Sequence, residues 1–250
     1  MFEPARYFSS NLTVGFPRRT DVETCADAIA AKLEERYKPY PMQPLPEWLE
    51  QDVPRLAFVT PKQVIGSHRI YVTQAGFRLE VFHKPSHQLE PSVVEESLIA
   101  EVATLFSLLE TVQAESPTYC GLMTQVRVPA ESETEDRSIG RYLAKRFLKE
   151  PEISGLYELT VRFCETIDER FFSNTTYEVY RAWDSAKMDP AKPRLSGPGA
   201  MTRGVLISGD FNDRHAFNEN EEYTSNQQTA EEIVHRGMDA VARAITTIRG

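Results

Sequence analysis

The chain has 250 residues and a net charge of −9, with 41% hydrophobic and 26% charged residues. That length can bury a substantial core without staples, and the composition excludes a disordered chain. The charge divides almost evenly, about −5 over residues 1–117 and −4 over the remainder, so neither half is a basic module of the kind that neutralises phosphates.

Cys25, Cys120 and Cys164 are odd in number and widely spaced, which is the pattern of neither a disulfide framework nor a zinc site. Free thiols in a cytoplasmic protein are expected. No run approaches the ~18 apolar residues of a membrane span, and the first ten residues lack a leader pattern. Two glycosylation triplets, at Asn11 and Asn174, have no meaning in that compartment.

In chain order, a strand is expected at 10–16, then a helix over about 21–37 capped by Thr20, with Val22, Ile29 and Leu33 on its apolar face. Prolines at 39, 41, 44, 46 and 54 argue for an extended connection without regular structure. Strands follow at 55–60, 69–73 and 77–83, the last two flanking Gln74-Ala75-Gly76 as a hairpin. From Pro91 onward Val94, Leu98, Val102 and Leu105 recur at helical spacing, predicting a long amphipathic helix.

The same order then restarts. It gives a strand at 119–128, an acidic turn at 131–136, a helix at 137–149, strands at 156–164, 175–183 and 203–210, and a terminal helix over 229–248. A loop rich in proline and glycine separates the last two strands. The expected fold is therefore α+β, with two similarly ordered β-α-β-β-β-α halves at 1–116 and 117–250. Two antiparallel sheets, or one curved sheet, would be covered on one face by long amphipathic helices. The element order, though no residue motif, is similar to that of the saddle formed by tandem TATA-binding-protein-like repeats.

Four features could carry chemistry. Asp210, Asn212, Asp213 and His215 follow an apolar strand, where carboxylates and an imidazole could hold a cation or work as acid and base. The structural alternative is a polar turn whose side chains bond their own backbone. His235 on the terminal helix could join Asp210, Asp213 and His215 as a metal ligand, against the reading of a solvated helical histidine. His68, His83 and His87 flank the hairpin, but Pro85 prevents the helix that would set His83 and His87 on one face. Arg137, Arg141, Lys145 and Lys149 recur every four residues opposite Ile139, Leu143 and Phe147, forming a basic ridge that could meet a partner or be a solvated face.

No nucleophile elbow, phosphate loop or thiol motif is present in the sequence, so no cofactor is expected. The leading expectation is a non-catalytic protein-interaction protein, such as an immunity protein or assembly subunit. Its partner would be another protein, of basic character given the acidic balance, with self-association compatible and nucleic acid ranked lower. The alternatives are a metal-dependent hydrolase or nuclease using Asp210, Asp213 and His215, and a nucleic-acid-binding protein using the sheet and the ridge.

Overall fold

The computed structural model describes residues 1–34, 36–42, 50–60, 67–114, 116–131, 136–148, 153, 156–183 and 201–250. Among these residues nine strands form one antiparallel sheet: β1 (Arg6–Gly15), β2 (Lys38–Tyr40), β3 (Leu56–Val59), β4 (His68–Thr73), β5 (Gly76–Phe82), β6 (Tyr119–Pro129), β7 (Thr160–Ile167), β8 (Phe171–Trp183) and β9 (Met201–Asn212). The helices are α1 (Ala26–Leu33), α2 (Pro91–Ser107), α3 (Asp136–Leu143), α4 (Arg214–Glu219) and α5 (Gln227–Arg249).

The strand order is β2-β3-β4-β5-β1-β6-β9-β8-β7. β1 and β6 pair directly from Arg6↔Arg127 to Gly15↔Tyr119, so the sheet runs without a break from one half of the chain into the other. The register slips between Tyr7 and Ser9, leaving Phe8 as the extra residue of a bulge.

This corrects the expected architecture. The molecule is sheet-dominated, and three of the five helices among the described residues are only six to eight residues long; two halves roofed by long amphipathic helices do not describe it. The helix expected over 21–37 begins as a 3-10 turn at Val22–Cys25 and ends at Leu33, where Glu34 has φ 51°. The helix expected from 137 loses α-helical pairing after Leu143 and continues as a π turn at Ala144–Leu148. In the proline-rich connection, Lys38–Tyr40 does form a strand. It lies at the sheet edge, where Pro39 has no ladder bond to donate. Residues 132–135 of the acidic turn expected at 131–136, and the loop expected between β8 and β9, lie outside the described residues.

Alternation divides the sheet into two faces. Leu12, Leu79, Leu122 and Phe211 are buried in one apolar cluster with Leu98 and Val102 of α2 and Ile233, Met238 and Val241 of α5. Each fully buried leucine contributes about 2 kcal/mol through burial. α5 begins at Asn226, whose side chain accepts the Thr229 N–H at 2.9 Å, a cap of the ordinary kind. α5 comes close to β9 because Gly209 has no side chain: a Cβ there would lie 2.5 Å from Val241 Cγ2. Among the described residues, no helix is long and apolar enough to cross a membrane.

Candidate functional site: the uncovered face of the sheet

Residues directly opposite each other in an antiparallel pair point to the same side, so the registers define what is carried by the second, uncovered face, which no helix among the described residues covers. One row runs Arg69, Glu80, Asn11, Met123, Asp210, Asn174, Cys164 across β4, β5, β1, β6, β9, β8 and β7. The next runs Tyr71, Arg78, Thr13, Gly121, Asn212, Phe172, Thr166. Lys38, Arg6, Arg127 and Arg162 share the same side. Arg214, at the start of α4, joins it by donating to the Tyr119 hydroxyl at 2.8 Å.

Seven cations therefore face outward among the described residues, against Glu80, Asp210, Glu178 and Glu3, the last paired with Arg6 at 3.5 Å. The local balance is opposite in sign to the net charge of −9. Several of these guanidiniums lie over rings: Arg127 over Phe8 at 3.7 Å, Arg214 over Tyr119 at 4.3 Å and Arg78 over Tyr71 at 5.0 Å. Such stacking holds the cation in place while leaving N–H edges free to bond.

A polar ladder crosses the second half of this face. Arg162 donates to Asn174 Oδ1 at 3.3 Å, Asn174 donates to Asp210 Oδ2 at 3.2 Å, and Asn212 donates to Asp210 Oδ1 at 2.9 Å. Asp210 thus has a donor on each oxygen. At the centre lies a depression of about 440 Å³. Asn11, Thr13, Arg78, Tyr119, Gly121 and Arg214 are among its lining residues.

The expected Asp210 to His215 turn is not a turn. Asp210 and Asn212 are the last outward positions of β9, and residues from Arg214 onward are helical. Asp213 is fully buried and bonded: its carboxylate accepts from the Cys120 N–H, the Tyr223 hydroxyl and the Ser225 hydroxyl at 2.7, 2.8 and 2.6 Å. Burial raises its pKa, and these donors offset part of the rise. His215 stands edge-on to Phe172 at 5.1 Å. His235 pairs with Glu95 of α2, on the helical side. Asp210, Asp213, His215 and His235 thus each have separate partners. Among the described residues no group of three or more His, Cys, Asp or Glu is arranged to hold a metal ion.

The hairpin histidines also separate. His68 pairs with the buried Glu101 at 3.0 Å beside Arg36. Burial opposes ionisation of Glu101, but the His68 hydrogen bond and the Arg36 charge outweigh it and hold its pKa below the usual range. His83 bonds Ser10 Oγ at 2.9 Å, and Ser10 meets Thr124 at 3.0 Å, a buried polar triad inside the sheet's apolar side. Burial pushes the His83 pKa down to about 4.

The basic ridge lies away from the uncovered face. Arg141 and Lys145 are exposed, while Ile139 and Leu143 enter the core on the helical side. The side chain of Arg137, and Lys149 altogether, lie outside the described residues. Sequence reasoning missed Arg78, Arg127, Arg162, Asn174 and Tyr119. The available signal was polar alternation, as in Phe77-Arg78-Leu79-Glu80-Val81.

No protein-family model matches the chain, and no curated protein is significantly similar to it.

Proposed function

We propose that this chain is a non-catalytic interaction protein that receives an acidic protein partner on the uncovered face of its sheet. The observation that supports the reading is the charge reversal: seven cations against four acids on one face of a chain of net charge −9. The partner's sign is accordingly opposite to the one that global composition suggests. Complementary patches speed encounter and select partners, and arginine and aromatic residues are enriched where proteins meet.

Nine strands at about 4.8 Å spacing give a face roughly 38 Å across, wide enough for a standard footprint of about 800 Å² per partner. Nucleic acid is the second reading, because the same cations could neutralise phosphates. Two features favour protein instead. Glu80, Asp210 and Glu178 are interleaved with the arginines, and the rings of Phe8, Tyr71 and Tyr119 already carry the chain's own guanidiniums, whereas base stacking needs open rings. An assembly subunit that joins an acidic neighbour fits this chemistry.

Affinity capture from native lysate at low salt, comparing the native chain with an Arg127→Glu, Arg162→Glu variant, tests the reading. An acidic protein retained by the native chain and lost from the variant is expected. Recovery of nothing but the chain itself, or of nuclease-sensitive material, would contradict it.

A further inference from the structure

We infer that the depression floored by Thr13 and Gly121 is the anchor point of this face, where a carboxylate side chain of the partner docks between Arg78 and Arg214. The inference rests on the acidic-partner reading above and assigns it a specific place.

The groups around the depression differ in how far their hydrogen bonds are satisfied. On its acidic side Asp210 is satisfied, with Asn174 on one oxygen and Asn212 on the other. On its basic side donors are left over. Arg78 Nε is buried and has no acceptor among the described residues, and its nearest acid, Glu80, stands 3.7 Å from Nη2, beyond hydrogen-bond reach. Arg214 spends one Nη2 hydrogen on the Tyr119 hydroxyl and makes no other side-chain hydrogen bond among the described residues.

Both guanidiniums are steadied from below, by Tyr71 and Tyr119. They are poised rather than mobile, and an arriving carboxylate orders little that is not already ordered. The floor between them is open because position 121 is glycine. A Cβ there would come within 3.1 Å of Asn212 Cβ and occupy the space a ligand needs. A carboxylate is planar and accepts paired N–H bonds, the geometry a guanidinium fork offers.

The test measures binding of a short poly-L-glutamate peptide at low salt to four proteins: native, Arg78→Gln, Arg214→Gln and Lys38→Gln. Lys38 lies on the same face at the β2 edge and removes the same charge. A single-stranded oligothymidylate is run in parallel. Losses of about tenfold for each arginine variant, against less than about twofold for Lys38→Gln, are expected if paired charge-assisted bonds are lost.

Equal losses in all three variants would overturn the anchor and leave the acidic-partner reading standing, since binding would then follow charge alone. Absence of peptide binding to the native chain, or tighter binding of the oligothymidylate than of the peptide, would overturn both. Arg214 is exposed, so its variant keeps the test decisive even if Arg78→Gln fails to fold.

Discussion

The Asp213 carboxylate accepts the Cys120 backbone N–H at 2.7 Å, joining the end of β9 to the start of β6. Its second oxygen takes the hydroxyls of Tyr223 and Ser225, which lead into α5. A residue whose type suggests catalysis is therefore occupied in holding three segments together. Asp213→Ala leaves three donors without an acceptor, and each unmet buried donor costs about 1–3 kcal/mol. We expect a loss of about 3 kcal/mol or more by urea denaturation, and a smaller loss for Asp213→Asn. A variant as stable as the native chain would show that the cluster is not structural.

Burial of His83 makes stability depend on pH. Its folded pKa falls to about 4, against about 6.5 in an unfolded chain. Between those values the unfolded chain binds the proton and the folded chain does not, so acidification favours unfolding. The loss begins near pH 6.5, is complete near pH 4, and amounts to roughly 3 kcal/mol. His83→Gln should flatten the stability profile in that window. Glu101, whose folded pKa is lowered, adds its own loss as pH falls further through the carboxylate range. An unchanged slope in His83→Gln would contradict the assignment.

Close approach of α5 to the sheet depends on Gly209. A methyl group there meets Val241 Cγ2 at 2.5 Å, and valine has little freedom to turn away. Gly209→Ala is expected to cost about 1–3 kcal/mol, the usual range for overpacking. A paired Val241→Ala should recover part of that loss, which a double-mutant cycle would measure.

The apolar elements were readable from the sequence because their signal is periodic. Val94, Leu98, Val102 and Leu105 mark α2, and Ile233, Met238 and Val241 mark α5. Strand pairing has no such local signal. Nothing near Asn11 says that it lies beside Met123 or that the β1–β6 ladder fuses the two halves into one sheet. The candidate face was hidden for the same reason. Arg78, Arg127 and Arg162 are ordinary alternating strand residues until register sets them on one side. Asp213 misled in the other direction, since a buried hydrogen-bond hub and a catalytic carboxylate have the same residue type.

Methyl NMR of the chain labelled at methionine tests the central claim most directly. Met123 lies in the depression on the uncovered face and is 37% exposed, whereas Met238, on the buried side of α5, is 4% exposed. Titration with poly-L-glutamate should shift the Met123 methyl resonance and leave Met238 unmoved, with the shift suppressed as salt rises. Movement of Met238 without Met123, or no movement of either at low salt, would contradict a binding role for the uncovered face.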